Sequence, residues 1–474
     1  MILSILVSLF TSLVVPADTS IHTTIEAQAI LSDAGVTPFW MRSLQYGSVP
    51  MENPGLILRA WNGKNYNLKK KYDWKYEVEA TGWTGIQNDF WLTQAYVSAR
   101  RGKWELWAGR RKEVYGLGDT TMTGGFYAWS GNALPMPKIQ LGTRDYLNFA
   151  KSWLGVHMTY SHGWFDNQGP TIDAYLHQKS LYGRIGKPDS FINIFGGINH
   201  QVSWGGKSKI HQDNPYPSSL NAYFYVVTVL KDRTIVTIDE NTSIDDAANQ
   251  YGNHLGSIDI ALKFNYPKSS LLIYKQSAYE TGRIISLTTI NDGLWGISYK
   301  SKSNKFLQEI TIEHLYTSNQ GIYVSGLAQT LGLKDTHYPE TENYFNNGGR
   351  GGWAYWGKGI GAPLIVIDKE SKINGFNSFT LNAVNSIYFS SAGKLSKYIK
   401  WRLILSFSKH GKIESGNNFP SSRYIKSIDQ KSLAILLTKY SSKRISYNLN
   451  FGLDQGENLI NSISIAIGAK LNLF

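Results

Sequence analysis

Cysteine is absent from all 474 residues. That absence excludes disulfide frameworks, thiolate-ligated zinc, iron–sulfur clusters, cysteine nucleophiles and a lipid-bearing N-terminal cysteine. Long apolar runs are also scarce. Ile2 to Val15 is the one such run, broken only by Ser and Thr, and it is too short to cross a bilayer as a helix. It reads as the core of an export signal over residues 1–17, with Val15-Pro16-Ala17 as the small-residue cleavage site. No Lys or Arg precedes it, so a buried N-terminal strand is the alternative. Nothing later approaches the ~18 apolar residues of a membrane-spanning helix.

Catalytic signatures are missing as well. There is no HExxH and no GxSxG. His157, Ser161 and His162 in "GVHMTYSHGW" come nearest to a nucleophile with its base. Alternation puts His157 and Ser161 on one strand face and His162 on the other. Glu280 and Asp292 are conceivable as a glycosidase pair, but sequence fixes no separation between them. The expectation is a protein without enzymatic chemistry, cofactor or metal, with an outer-membrane hydrolase as the remote option. Acidic residues are in deficit: Lys plus Arg is 48 against 35 Asp plus Glu, a net charge of +13. That excess suits an acidic polysaccharide or anionic lipid, including lipopolysaccharide phosphates; nucleic acid is not expected.

What the chain does have is glycine, 45 residues, and 13% aromatics. It also has strict alternation. In "YDWKYEVEATGW", residues 72–83, Tyr72, Trp74, Tyr76, Val78 and Ala80 share one strand face, and Asp73, Lys75, Glu77 and Glu79 the other. "GSIDIALKFNY", "YIKWRLILSFS", "RISYNLNF" and "SISIAIGAKLNLF" divide the same way. Their apolar faces carry almost no charge, as lipid contact requires, because a mid-bilayer Lys or Arg costs about 2–4 kcal/mol. A β-sandwich of this length would need linkers between domains, and none is visible from residue 55 to 474. The pattern predicts an all-β transmembrane antiparallel barrel of roughly 16–18 strands over 55–474. Residues 18–54 would form a short periplasmic segment with one helix, ended by Ser32–Gly35 and Pro38. Phe474 shares parity with Lys470 and Asn472, so the terminal aromatic adds little. Inward charges of both signs, Asp73, Lys75, Glu77, Asp259, Lys263, Lys400 and Arg402 among them, favour a lumen laced by ion pairs and partly filled by loops.

Several strings point further. "TPFWMRSLQYGSVP" (37–50), "SGNALPMPKIQLG" (130–142), "GGINHQVSWGG" (196–206), "GNHLGSIDIALKF" (252–264), "IYKQSAYETGR" (273–283) and "YFNNGGRGGWAYWGKGIGAPL" (344–364) resemble, in order, the Wzi-type capsule assembly family. The resemblance implies an outer-membrane barrel of about eighteen strands that acts as a lectin for capsular or exopolysaccharide at the surface of a Gram-negative cell. It implies no enzyme. Enterobacterial members carry a periplasmic helical bundle for which this chain leaves little room.

Candidate sugar contacts follow from composition. Tyr344, Trp353, Tyr355 and Trp356 offer flat faces to pyranose rings. Asn346 and Asn347 can pair with adjacent hydroxyls, and Arg350 with a carboxylate. The competing reading of this stretch is a turn within the aromatic girdle. Arg110 and Arg111 in "WAGRRKEVYG" could meet a polyanion or lie solvated at a strand end. His200 with Trp204 could touch sugar or mark a strand kink. The expected protein is a monomeric lectin-like barrel; the alternative is a porin-like diffusion channel.

Overall fold

The structure, a computed structural model, describes residues 21–473 apart from 53, 86–87, 211–215, 231–250, 281–286, 288, 304–305, 322–324, 334–341, 348, 374 and 415–422. The export signal expected over 1–17 and Phe474 lie outside the described residues.

Eighteen antiparallel strands close into one barrel. They are β1 (Ile21–Ser32), β2 (Pro54–Lys64), β3 (Tyr72–Gly85), β4 (Asp89–Arg101), β5 (Trp104–Arg110) and β6 (Pro137–Thr143). Next come β7 (Leu154–Trp164), β8 (Tyr175–Ile185), β9 (Ile192–Trp204), β10 (Gly252–Asn265), β11 (Ser269–Tyr279) and β12 (Gly293–Ser301). The last six are β13 (Leu307–Tyr316), β14 (Ala383–Lys394), β15 (Ile399–Glu414), β16 (Arg423–Tyr440), β17 (Ile445–Gly456) and β18 (Ser462–Asn472). Each strand pairs with its sequence neighbours, and β1 pairs with β18 to shut the ring. Among the described residues no helix is long and apolar enough to cross a membrane; the strands do so.

The alternation holds in three dimensions. On β18, Ile463, Ile465 and Ile467 face outward and are exposed, while Ser462, Ser464 and Ala466 face the lumen and are buried. On β3, Tyr72 and Trp74 are exposed to the outside. Their charged neighbours form ion pairs within: Lys64 with Asp73 at 3.3 Å, Lys75 with Glu77 at 3.5 Å, and Lys112 with Glu79 at 2.6 Å.

The assignment of residues 18–54 needs correction. Ile21–Ser32 is a full barrel strand, not part of a segment ahead of the barrel. Its outward positions include Ala27 and Ala29, helix-favouring residues with little apolar signal. The short helix expected ahead of Ser32–Gly35 and Pro38 is absent, its stretch being β1; a different single turn, α1 (Phe39–Arg42), follows Pro38 and lies inside the lumen. Phe39, Trp40 and Met41 are buried there, with the Trp40 indole N–H donating to Ser406 at 2.8 Å.

The two rims differ. One carries tight turns, the start of β1 and the end of β18. The other carries the long connections, and by the rule for outer-membrane barrels it faces the exterior. The described residues of three of these long connections, 33–53, 111–136 and 317–382, turn inward and pack together. They supply most of the buried aromatic core, including Phe126, Tyr127, Trp129, Tyr344, Phe345 and Trp353.

An irregular segment in a barrel must find partners for its backbone polar groups. Inward-facing wall side chains provide them. Leu117 N–H donates to Asp259 at 2.9 Å, Gly124 N–H to Glu313 at 2.7 Å, and Tyr127 N–H to Gln276 at 2.9 Å. The segments also approach each other closely. A Cβ on Gly361 would sit 2.2 Å from the Tyr127 carbonyl oxygen, and one on Gly125 (φ +116°) 2.3 Å from Pro363 Cδ.

Two further helices belong to the long-loop end: α2 (Leu220–Thr228) and α3 (Gly326–Thr330). Helix α2 lies on the outer wall. Ala222 and Val226 pack with Val202 and Trp204, and the Tyr223 hydroxyl meets that of Tyr160 at 2.7 Å. Leu220 and Phe224 remain exposed.

Candidate functional site

A cleft of about 490 Å³ opens at the long-loop rim. One wall is the connection between β7 and β8, residues 165–174. Short pairing of Thr171 and Ile172 with Lys207 and Ser208 fixes it. The other wall is the inward segment at 350–357, and Ser203 of β9 and Asn253 of β10 close the base.

Backbone and side-chain bonds tie the walls together. Thr171 Oγ1 donates to the Arg350 carbonyl at 3.3 Å, and Trp356 N–H donates to Asp166 Oδ2 at 2.6 Å. Gly351 has φ +82°, and a Cβ there would lie 2.6 Å from Pro170 Cδ, so the walls meet only because this position lacks a side chain. Trp356 stands at a left-handed turn (φ +48°), lines the cleft and is 39% exposed. Trp91 of β4 braces it edge-on at 4.7 Å. The cleft thus combines an exposed flat ring, the Phe165 and Phe376 rings, the Gln168 and Asn253 amides, and a glycine-rich floor. The buried Trp353 indole N–H borders it and has no acceptor among the described residues.

The structure separates the sequence-nominated residues into groups. Arg350, Trp353 and Trp356 line the cleft. Arg350 is mainly structural: its Nη1 donates to the Gly205 carbonyl at 2.9 Å, and its guanidinium lies 3.9 Å from the Tyr216 ring centre. Trp353 is buried beside Phe165, not offered as an open face.

Tyr344 and Tyr355 are core residues. The Tyr344 hydroxyl donates to Asp292 at 2.8 Å, and Arg110 Nη2 donates to the Tyr355 hydroxyl at 3.2 Å. The Asn346 amide closes the segment on itself, accepting from Phe379 N–H and donating to the Phe379 carbonyl, both at 2.9 Å. Asn347 Oδ1 accepts from Gly349 and Arg350 N–H in a turn.

Arg111 pairs with Glu105 at 2.6 Å between the Tyr96 and Trp107 rings, within the lumen and away from the cleft. His200 and Trp204 are on the outward face of β9. His200 meets His254 at 3.0 Å, and Trp204 packs on Tyr175 and Tyr223 beneath α2. These contacts replace the proposed sugar contact.

The imagined catalytic carboxylates have structural partners. Glu280 accepts the Phe345 N–H at 2.9 Å and the Tyr127 hydroxyl at 3.1 Å. Asp292 accepts from Gln320 N–H at 2.8 Å besides Tyr344. Burial raises both carboxyls above the usual range, Asp292 to about 6, with the hydrogen bonds opposing. Ser161 is buried and donates to the Gln178 carbonyl at 3.2 Å.

Phe165, Gln168, Asn253 and Phe376 escaped the sequence reading. Three lie in or beside irregular connections, where no period marks which side chain meets a ligand.

The architecture defines a class: an outer-membrane β-barrel whose lumen holds inward segments and whose outer rim bears a cleft. Within that class the chain has the fold of Wzi of Escherichia coli, described as an outer-membrane protein involved in group 1 capsule assembly and a carbohydrate-binding β-barrel. The match has a TM-score of 0.60 at 12% identity and covers 99% of this chain and 87% of that one. Two other solved structures also align at lower similarity. Pseudomonas aeruginosa OccD3 has a TM-score of 0.46 and 11% identity, covering 96% of this chain and 92% of that one. Acinetobacter baumannii OccAB2 has a TM-score of 0.46 and 8% identity, covering 96% and 98%. No family model matches the sequence, and no curated protein does.

Proposed function

We propose that this chain is an outer-membrane lectin-like barrel that holds capsular or exopolysaccharide at the cell surface through the cleft at its long-loop rim. The observation that carries this reading is the pairing of an exposed, braced Trp356 with amide side chains and a glycine floor, at the mouth of a barrel packed with inward segments. A pyranose has apolar C–H faces and equatorial hydroxyls. An indole face covers the former and the Gln168 and Asn253 amides pair with the latter. The fold shared with Wzi supports the reading.

The ligand's charge is a separate matter. Among the described residues the cleft's charged side chains are Asp166 and Arg350, one of each sign. These lining residues favour recognition by stacking and hydrogen bonding over attraction of a polyanion.

The test is direct binding of purified polysaccharide from the producing cell to detergent-solubilised protein. Trp356→Ala and Gln168→Ala should each weaken binding while the heat-modifiable gel shift of a folded barrel persists. Wild-type affinity in the double variant would remove the cleft from the site.

A further inference from the structure

Exposed lysines and arginines ring one end of the barrel. Eight turns join the strands from β2 to β17 at the short-turn rim, and each is formed or flanked by an exposed lysine or arginine. Several of these cations lie over exposed rings at this rim. Lys71 and Arg101 sit 5.8 and 5.5 Å from the centre of the outward-facing Tyr72 ring, and Lys397 4.7 Å from Tyr398. The remaining turns carry Arg144, Lys187, Lys268, Lys302 and Lys443.

Those rings belong to a girdle of exposed aromatics at this rim that also includes Trp74, Trp104, Phe191 and Tyr266. Acidic residues in the turns are few: Asp145, which pairs with Lys103 at 3.9 Å, and Asp189. Among the described residues the long-loop rim mixes both signs, with Asp33, Asp89, Asp173, Asp429 and Glu457 exposed beside Lys207, Lys209, Lys409 and Lys431.

A cation stacked over a lipid-facing ring is outside the barrel wall, at the depth where acyl chains give way to headgroups. The cations also run round the whole circumference. A soluble polymer touches one arc of such a ring, whereas lipid surrounds all of it. We infer that the short-turn rim is a collar that binds anionic phospholipid headgroups of the leaflet at that end. Their phosphates meet the lysines and arginines, and the girdle rings take the boundary just above. This rests on the barrel spanning a membrane and is independent of the saccharide reading.

The experiment uses the full chain in nanodiscs of phosphatidylcholine with phosphatidylglycerol, and reads the association of spin-labelled phosphatidylglycerol against spin-labelled phosphatidylcholine. At low salt the anionic lipid should be favoured several-fold, and the preference should fall toward unity in about 1 M salt, where screening is nearly complete. Lys71→Gln, Arg101→Gln, Lys397→Gln and Lys443→Gln together should abolish it, with the gel shift confirming a folded barrel. Lys207→Gln with Lys209→Gln at the other rim should leave it intact.

Equal association of the two lipids with the wild type overturns the inference, as does a preference that survives the collar substitutions. Binding of dextran sulfate in neutral detergent that depends on the same four residues, without any lipid preference, overturns it in favour of a soluble polyanion.

Discussion

Tyr344 donates its hydroxyl to Asp292 at 2.8 Å, joining the buried heart of the third inward segment to the residue just ahead of β12. Asp292 also takes the Gln320 N–H, so one carboxyl holds two parts of that segment. Burial keeps this carboxyl near 6, above its value in an unfolded chain. The folded protein therefore holds a proton that the unfolded chain releases. The resulting stabilisation is fully present below about pH 4 and is lost as pH rises through about 6, on the order of 3 kcal/mol in all. Unfolding midpoints in detergent should fall between about pH 4 and pH 6 and level off above, and Asp292→Asn should flatten that slope. An unchanged slope in the variant would show that other groups set it.

Trp353 and Trp356 are three positions apart in one segment, yet they should respond differently to truncation. Trp353→Ala empties a buried site and should destabilise the protein by about 3–5 kcal/mol. Trp356→Ala removes an exposed ring and should leave the unfolding midpoint nearly unchanged while weakening polysaccharide binding about tenfold, the worth of one good stacking contact. Both effects are read on the same preparations by urea titration and by binding.

Packing of the inward segments predicts little steady ion flow through the wild-type barrel in planar bilayers. Gly361→Val would press a side chain against the Tyr127 carbonyl and the Phe345 ring. That variant should show frequent opening events as the segments loosen. Large, steady conductance from the unaltered protein would favour the diffusion channel over the polysaccharide-holding role.

On the outer wall, Ile467 of β18 is among the most exposed apolar residues of its strand. Ile467→Lys should cost about 2–4 kcal/mol of stability in a bilayer, the penalty for a cation on the lipid face. Fractional folding into lipid vesicles, followed by the gel shift, measures it.

Alternation exposed the wall of the barrel because lipid and lumen impose opposite demands on successive residues. β3 and β18 obey both, and their faces were legible residue by residue. β1 was not, since Ala27 and Ala29 stand where isoleucine or leucine would have announced a strand. The lumen filling was legible only in outline. Mixed inward charges implied it, but the carboxylates that serve it, Asp259 of β10, Glu280 and Asp292 of the β11–β12 connection and Glu313 of β13, look unremarkable in sequence. The aromatic stretch at 344–356 was recognised, and its division into core and cleft residues was not. That division depends on Phe165 meeting Trp353, Trp91 meeting Trp356 and Asp166 holding the Trp356 N–H, and contacts among two connections and a strand leave no local pattern.

The seam between β1 and β18 sets a condition on biogenesis. Thr24 and Asn472, whose side chains hydrogen-bond at 3.0 Å, are separated by nearly the entire polypeptide. A nascent strand with no mate is an invitation to mispair. The opening segment must therefore stay shielded through synthesis and export until the very last one arrives. Loss of the final dozen residues would leave two raw edges, and such a fragment should be found in aggregates or degraded, not as a smaller pore.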